Sequence, residues 1–411
     1  AEWAATANLN PNVANLLCLA LIAGPMGKCA QFPLHLWLDE AMEGPMPATI
    51  LRNTVVVSTG AWLLVKLEPV LQLSPLTLQV MIIVGSVTAI GAGLIAIAQI
   101  DVKRSLSYSV SAYMGLIFIA VATGQTETAL VLLFTYAIAM SLLVMVVGNI
   151  IWNNISQDLS QYGGLWSRRP VSGICYLVGA ASLVALPPFG GFWSLARMGD
   201  RLAEISGLLL LVLLLVNALT AFSVTREFCV FFGGKIKPMT LRSPEALWPL
   251  VIPMTVTMGF ALHLPILLAQ WHLLPSNLNL GVAFLLVLST AGGVIPAAYI
   301  YLNENISKPI VFQPKALQDF FANDLYTAKL YKVTIVFVVG LISQIINWID
   351  TFLVDGIVNL VGLATVFGGQ SLKYNVSGQT QFYFLSIILG VALIGIIICW
   401  PLLAQISLVF S

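Results

Sequence analysis

The chain has 411 residues, of which 59% are hydrophobic and only 9% are charged, and its formal net charge is +1. Because a soluble domain carries about 25% charged residues, this composition excludes a water-soluble bundle and makes lipid the solvent for most of the chain. The near-zero net charge also leaves no basic face for binding nucleic acid.

The five cysteines lie far apart in the sequence, at Cys18, Cys29, Cys175, Cys229 and Cys399. Since no two of them form a CxxC pair, the sequence predicts small buried side chains and neither a metal site nor a disulfide. The chain begins at an alanine, and no basic region precedes the first apolar run. We therefore expect no signal peptide at this end and further sequence upstream of it.

A membrane-spanning helix needs about 20 mostly apolar residues, and ten runs in the chain are long enough. In chain order they cover residues 13–37, 47–67, 77–99, 105–123, 128–151, 171–196, 205–231, 249–270, 279–302 and 382–403. The pattern predicts an all-α, polytopic membrane protein. We expect a transmembrane bundle over residues 1–302, a linker and lateral helix over 303–381, and a C-terminal anchoring helix over 382–411.

The segment 316–365 differs from these runs because it mixes charged and apolar residues at helical spacing. This pattern predicts an amphipathic helix that lies along the membrane. Its charged residues are Asp319, Asp324, Lys329, Lys332, Asp350 and Asp355.

Basic residues are unevenly shared between the two sides of the predicted bundle. Alternating the loops places Lys103, Arg104, Arg168, Arg169, Lys235, Lys237, Arg242, Lys308 and Lys315 on one side. The positive-inside rule assigns that side to the cytoplasm.

Several predicted spans contain proline breaks. Pro33 interrupts the first run, Pro45 and Pro47 open the second, and Pro187 and Pro188 interrupt the sixth. A proline frees a backbone carbonyl, so a break inside lipid persists only where protein or cavity water satisfies that group. Each break taken alone is also compatible with a packing kink. Paired breaks in two halves of a bundle indicate a transporter with an ion path.

Lys28 is the most informative charge, because it lies within an apolar helix. A lysine at the centre of a span costs about 2.5–3.5 kcal/mol on insertion scales. It is expected to face a wet interior beside a carboxylate or to have a shifted pKa. The alternative is that its ammonium snorkels to the membrane interface.

Other polar residues near the breaks complete the predicted proton path. Arg52 and Asn53 follow the second break; the guanidinium can organise water or a carboxylate but cannot readily give up its proton. His35 can titrate near neutrality, although a structural histidine fits equally well. Tyr136 is a candidate hydrogen-bond relay or a packing residue, and Glu43 is the acidic candidate beyond the first break.

Asp101, Lys103 and Arg104 form a charged cluster in the cytoplasmic loop, where a topology determinant is the simpler interpretation. No nucleotide-binding loop, haem ligand set, iron–sulfur spacing or nucleophile elbow occurs in the sequence. We therefore expect no cofactor in this chain.

Several motifs resemble those of one family. They are the run Gly27–Pro45 (GKCAQFPLHLWLDEAMEGP), the loop Asp101–Ser109 (DVKRSLSYS), Tyr162–Leu165 (YGGL), Pro187–Phe192 (PPFGGF), Thr220–Arg226 (TAFSVTR) and the C-terminal Asp324–Tyr326, Asp350, Val354–Gly356 and Gly378–Gln381. The chain resembles the antiporter-like subunits of complex I-type NAD(P)H–quinone oxidoreductases, and among them the distal F-subunit (chain 5) family of cyanobacterial and plastid photosynthetic complex I.

The resemblance implies a bundle with discontinuous transmembrane helices in a multi-pass thylakoid membrane protein. It also implies that several N-terminal helices of the family are absent here, including the one whose glutamate pairs with the Lys28 position. The implied partners are lipid and the other membrane subunits of complex I, including a neighbouring antiporter-like D subunit. Quinone and iron–sulfur clusters are expected in those other subunits.

The departures from the family motifs fall on groups that carry protons. Alignment with the family places Arg52 and Tyr136 where histidines are usual. It places Met140 at the usual buried lysine, Leu195 at the terminal lysine, and Arg197 near an acidic pair. Methionine and leucine cannot bind or release a proton, so the family's path from Lys28 to the terminal lysine cannot operate unchanged.

These departures suggest a specialised member of the family. The family includes variants that support CO2 uptake together with a Cup-type CO2-hydration protein, and the chain is expected to be such a variant. The alternatives are an ordinary proton-pumping F subunit, a Mrp-type cation/proton antiporter subunit, and a degenerate pump that only docks its partner.

Overall fold

The computed structural model describes residues 10–41, 44–275, 277–302, 315–376 and 378–409. It confirms the all-α class, since no strand occurs within these ranges. The chain divides into two compact units, one ending at Ala328 and the other beginning at Lys329. The domain limits expected after residues 302 and 381 stay predictions.

The first unit contains thirteen numbered helices. They are α1 Pro11–Lys28, α2 Leu36–Glu40, α3 Met46–Leu51, α4 Val57–Leu71, α5 Pro75–Ala98, α6 Val102–Ala122, α7 Thr126–Asn154, α8 Pro170–Leu183, α9 Gly190–Ile205, α10 Gly207–Phe232, α11 Trp248–Gln270, α12 Leu280–Tyr301 and α13 Lys315–Ala322. A π-helical turn at Arg52–Val56 joins α3 to α4, and 3₁₀ turns occur at Leu159–Gln161, Leu165–Ser167 and Asp324–Tyr326.

The remaining elements are the short α14 (Thr327–Tyr331), π-helical turns at Lys332–Val336 and Asp350–Val354, and the helices α15 Phe337–Ile349, α16 Asp355–Asn375 and α17 Thr380–Val409. Nine helices among the described residues are long and apolar enough to cross a membrane. One of these stretches, Asp324–Tyr374, has 51 residues. A helix of that length would extend about 77 Å, whereas one crossing needs about 30 Å. Its predicted course along the membrane stays a prediction.

Local sequence explains where several helices begin. Ser74 precedes Pro75 and accepts a hydrogen bond from the Thr77 amide at 3.1 Å. Asp101 caps α6 by accepting from the Lys103 and Arg104 amides at 2.8 and 3.1 Å. Both residues thus satisfy amides that have no partner within the first turn of a helix.

Helix α6 is the centre of the first unit, because its most apolar window is completely buried. It packs closely on α5 at facing glycines. A Cβ on Gly115 would lie only 2.5 Å from the Gly85 carbonyl oxygen. Small residues at such a crossing let two membrane helices approach, which strengthens packing where lipid supplies no hydrophobic driving force.

The first run is broken between Lys28 and Leu36, around Pro33. Side chains satisfy the main-chain groups that the break frees. The main-chain amide of Phe32 donates to Thr88 Oγ1 at 3.0 Å. The Trp37 indole donates to the Gly27 carbonyl at 2.7 Å, and the side-chain amide of Gln31 donates to the Cys29 carbonyl at 3.0 Å.

The prolines that open the second span do not interrupt it. Pro45 directly precedes α3, and Pro47 lies in its first turn. There the missing amide costs no helical hydrogen bond. The backbone of this span departs from α-helical geometry further along the chain, at the π-helical turn Arg52–Val56.

The second break separates α8 from α9, and Pro187 and Pro188 lie in its turn. Asn217 of α10 and Thr290 of α12 hold its main chain. Asn217 Oδ1 accepts from the Ala185 amide at 3.0 Å, and the Thr290 hydroxyl donates to the Ala185 carbonyl at 3.2 Å. Both groups of Ala185 are therefore satisfied inside the protein, as lipid requires.

We expect Asn217→Ala to destabilise the protein, because it leaves the buried Ala185 amide without an acceptor. An unsatisfied buried polar group costs about 1–3 kcal/mol. Thermal denaturation in detergent measures the change. The matched control is Asn153→Ala, since Asn153 is exposed and donates only to the Pro244 carbonyl. Equal midpoints for the two variants would contradict this account of the second break.

Candidate functional site

Two stacked tyrosines connect the broken helices across the core. The Tyr136 hydroxyl of α7 donates to the Asn53 carbonyl at 2.7 Å. The Tyr136 ring stacks on that of Tyr113 of α6, with centroids 5.4 Å apart and planes 26° apart. The Tyr113 hydroxyl donates to the Leu183 carbonyl at the second break. The stacked tyrosines therefore place one buried hydroxyl at the second span and another at the second break.

The π-helical turn at Arg52–Val56 places Asn53 at one end of this connection. In the turn the Val57 amide bonds to the Arg52 carbonyl, one residue further along than in an α-helix. The Arg52 guanidinium donates to Asn53 Oδ1 at 3.2 Å and to the Ala41 carbonyl. Because Arg52 is 8% exposed, its charge fixes the Asn53 side chain from within the bundle.

Helix α6 carries a row of buried hydroxyls at four-residue spacing, which we call the α6 polar row: Ser105, Ser109 and Tyr113. Residues at this spacing share one helix face. Their exposed fractions are 0%, 2% and 1%. The Ser109 hydroxyl donates to the Ser105 carbonyl at 3.1 Å. The row lines one face of α6 from near its N-terminus to the stacked tyrosines.

The structure places the other predicted proton-path residues differently. Lys28 ends α1, is exposed, and takes no part in the ion pairs of the described residues. Its predicted place in a wet interior stays a prediction. Glu43 lies outside the described residues. Met140 and Leu195 are completely buried, so the positions that the family resemblance gives to lysines lie among packed side chains.

The His35 side chain contacts the segment that follows α13 instead of the stacked tyrosines. Its Nε2 lies 2.9 Å and 3.1 Å from the two carboxylate oxygens of Asp324. Asp324, Leu325 and Tyr326 form a left-handed turn with φ near +54° to +55°. Each such non-glycine residue costs about 1–2 kcal/mol. The buried His35–Asp324 contact holds this strained turn in place.

A cavity of about 1110 Å³ lies at the end of the bundle where the loop between α5 and α6 runs. We call it the Asp39 cavity; its charged lining residues are Asp39, Glu40, Asp101, Arg104, Asp158 and Asp319. Of the predicted loop cluster, Asp101 and Arg104 therefore face this cavity. The Lys103 side chain is 6% exposed.

The Asp39 carboxylate pairs with the Arg104 guanidinium at 3.0 Å. Burial raises the pKa of Asp39 from 3.8 to about 6, although Arg104 lowers it and the nearby carboxylates raise it further. Burial also raises the pKa of Asp101, against the opposing effect of its hydrogen bonds to the Arg104 and Lys103 amides. Both acids can therefore exchange protons closer to neutral pH than ordinary aspartates.

Arg197 lies at the opposite end of the bundle, in a cavity of about 800 Å³ that we call the Arg197 cavity. Its guanidinium donates to the Glu127 carboxylate at 2.6 Å and to the Leu273 carbonyl at 3.1 Å. Lys28, Arg52 and Arg197 therefore form no single cluster.

One buried charged group, Arg226 and Glu227 of α10, lies outside the path predicted from the sequence. Both side chains are completely buried. A glutamate within a 26-residue apolar helix is itself a signal, because an ionisable residue at membrane depth marks a functional site by default. Arg226 entered only as part of a family motif, and Glu227 was not considered.

Comparison with known proteins gives a family and a set of relatives. Residues 2–221, more than half of the chain, match the family model described as "NADH:quinone oxidoreductase/Mrp antiporter, TM". The chain is 40% identical over 400 residues to NAD(P)H-quinone oxidoreductase subunit 5 of organellar chromatophore 2 of Paulinella chromatophora, covering 97% of this chain and 65% of the relative.

Two further relatives carry related names. The chloroplastic NAD(P)H-quinone oxidoreductase subunit 5 of Chaetosphaeridium globosum is 30% identical, with 96% of this chain and 66% of the relative covered. NAD(P)H-quinone oxidoreductase chain 5 of Picosynechococcus sp. is 27% identical, with 97% and 67% covered. The chain thus spans less than two thirds of the length of the first two relatives.

The raised pKa of Asp39 predicts a pH-dependent stability. Because the folded protein binds this proton more tightly than the unfolded chain, the Asp39 contribution is fully present below pH 3.8 and is lost as pH rises through about 6. Denaturation midpoints of the wild type and of Asp39→Asn, which cannot titrate, measure it. The wild type should lose stability relative to the variant between about pH 4 and about pH 6. A difference in stability between the wild type and Asp39→Asn that stays constant with pH, or that favours the wild type as pH rises, would contradict the raised pKa of Asp39.

Proposed function

The chain belongs to the NADH:quinone oxidoreductase/Mrp antiporter membrane family, and we propose that it translocates protons as a membrane-arm subunit of an NAD(P)H–quinone oxidoreductase. In this proposal it does no redox chemistry itself. The quinone and the iron–sulfur clusters belong to other subunits, whose electron transfer supplies the free energy.

The connection between the broken helices is the observation that carries this proposal. Tyr136 and Tyr113 place buried hydroxyls on the Asn53 and Leu183 carbonyls, and their stacked rings lie between these two points. A tyrosine hydroxyl both donates and accepts hydrogen bonds, so each can take part in proton transfer between the two halves of the bundle where water bridges them.

A fixed positive charge lies beside the Tyr136 end of this pair. Arg52 donates to Asn53 Oδ1 and does not readily give up its proton. It can therefore orient the hydrogen-bonding groups of the path but cannot relay a proton itself.

The names of the relatives favour a quinone oxidoreductase over a free-standing antiporter. The family description covers both kinds of protein, but the relatives compared above are named as NAD(P)H-quinone oxidoreductase subunits. Under this proposal the chain works in the thylakoid membrane beside other membrane subunits, including an antiporter-like D subunit. A Mrp-type cation/proton antiporter subunit is the second candidate, since the family model also covers that class.

The finer proposal is a role in CO2 uptake with a Cup-type CO2-hydration protein. It is supported by the buried, apolar Met140 and Leu195, which the family resemblance places at lysine positions. In this role the subunit removes the proton released when CO2 is hydrated to bicarbonate, which makes hydration directional.

Replacing Tyr136 with phenylalanine tests proton transfer through the tyrosine pair. The variant removes the hydroxyl bound to the Asn53 carbonyl and keeps the ring stacked on Tyr113. A barrier raised by about 1.4 kcal/mol slows transfer about tenfold. We expect proton uptake per electron to fall in vesicles that contain the complete complex, while quinone reduction uncoupled by an ionophore continues.

The matched control is Tyr162→Phe, because the Tyr162 hydroxyl donates to the Ser156 carbonyl in a loop remote from the tyrosine pair. It should leave the ratio of protons to electrons unchanged. An unchanged ratio in Tyr136→Phe would overturn the proposed path.

Cells that lack this chain separate the two levels of the proposal. We expect CO2-dependent uptake of inorganic carbon to be lost while respiratory and cyclic electron flow continue. Loss of electron flow with intact carbon uptake would instead make the chain an ordinary pump subunit. Copurification with quinone-reducing subunits distinguishes both outcomes from a free-standing antiporter.

A further inference from the structure

We propose, on the basis of the function proposed above, that Glu227 of α10 holds a transported proton in the second half of the bundle. It exchanges this proton with the Asp39 cavity through Ser105. Both Glu227 and Ser105 are 0% exposed. Glu227 is the only carboxylate with no exposed surface among the described residues.

Hydroxyl groups of Ser105, Tyr176 and Ser223 surround the Glu227 carboxylate. The Ser105 hydroxyl donates to Oε1 at 2.5 Å, and the Tyr176 hydroxyl of α8 donates to Oε2 at 2.7 Å. A carboxylate accepts hydrogen bonds when ionised and donates one when protonated, and a hydroxyl can do either. The site can therefore hold a proton or release one without moving a side chain out of the core.

Among the ion pairs of the described residues, none joins the Arg226 guanidinium to the Glu227 carboxylate. The guanidinium donates instead to the carbonyls of Ala96 and Gln99 at 3.1 Å, to the Ile97 carbonyl, and to Ser105 Oγ at 3.2 Å. The Ala96 and Ile97 carbonyls belong to the last turn of α5 and the Gln99 carbonyl directly follows it, where helical partners are missing. Arg226 thus caps α5 and fixes the Ser105 oxygen, while the Glu227 oxygens accept from hydroxyls.

Ser105 directly follows Arg104, which lines the Asp39 cavity together with Asp101 and Gln99. Arg226, which donates to Ser105 Oγ, also binds the carbonyl of Gln99. In one transfer, a cavity proton binds Ser105 Oγ while the serine passes its own proton to Glu227 Oε1. The serine ends unchanged, the cavity has lost one proton and Glu227 has gained it.

The α6 polar row gives the other direction of exchange. Ser105, Ser109 and Tyr113 follow one face of α6 towards the second break, where Tyr113 binds the Leu183 carbonyl. Eight residues of helix separate Ser105 from Tyr113, which is about 12 Å. Glu227 therefore lies at the end of this row that is nearer the Asp39 cavity. Met140 and Leu195, which the family resemblance places at lysine positions, cannot carry a proton, and Glu227 can.

The experiment compares Glu227→Gln with the wild type in the complete complex reconstituted into vesicles. Glutamine keeps the size of the side chain and still accepts one hydrogen bond through its oxygen, but it cannot ionise. We expect quinone reduction to continue and proton uptake per electron to fall by at least about half. Infrared difference spectra in H2O and D2O should show an exchangeable carboxylic-acid band that disappears in the variant.

The matched control is Glu245→Gln. Glu245 is also a hydrogen-bonded carboxylate, but it accepts from the Val171 and Ser172 amides at 3.0 and 3.4 Å at the start of α8. It should keep both the proton ratio and the carboxylic-acid band. If Glu227→Gln does not assemble, Tyr176→Phe leaves the carboxylate in place, and we expect it to shift the band.

The outcomes separate this inference from the proposed function. A wild-type complex that takes up no protons overturns the proposed function. A wild type that pumps while Glu227→Gln keeps the full ratio and the band overturns only the assignment of Glu227. An unshifted band in Tyr176→Phe overturns it too.

Discussion

The bundle depends on one constraint: main-chain groups freed at a helix break must find partners inside the protein, because lipid offers none. At the second break Asn217 and Thr290 satisfy Ala185, and the Tyr113 hydroxyl satisfies Leu183. At the π-helical turn the Tyr136 hydroxyl satisfies Asn53. Two of the hydroxyls that stabilise the broken helices, those of Tyr113 and Tyr136, are therefore also the groups on which the proposed proton path depends.

Helix α6 makes this arrangement possible because it is buried on every side and still carries hydroxyls. Its close approach to α5 depends on Gly115 and Gly85, which leaves room for a helix in the centre of the bundle. The hydroxyls of Ser105 and Ser109 bond within the helix or to neighbours, so their burial is offset by hydrogen bonds. Arg226 fixes the end of α5 against the same helix end. The central helix thus combines dense packing with a polar face.

The sequence predicted the membrane class, most spans and the breaks at Pro33 and at Pro187–Pro188, because hydropathy and proline act locally. Pro45 and Pro47 only mark the start of α3. It also singled out Tyr136, Asn53 and Arg52, although it could not show that Tyr136 binds the Asn53 carbonyl. That contact depends on a π-helical turn, which no residue pattern in the sequence predicts. The His35–Asp324 contact joins residues 289 positions apart, and nothing local to either residue predicts it. Glu227 was within reach of sequence reasoning, since a carboxylate in an apolar helix is rare.

The most direct test of the proposed proton path is a density map of the complete complex in lipid, at a resolution that shows ordered water. The account predicts water bridging the α6 polar row, from the wall of the Asp39 cavity past Ser109 to Tyr113, because the hydroxyls there are too far apart to exchange protons directly. Hydrocarbon packing without water along that row, in a map that resolves water at equal depth elsewhere, would contradict it.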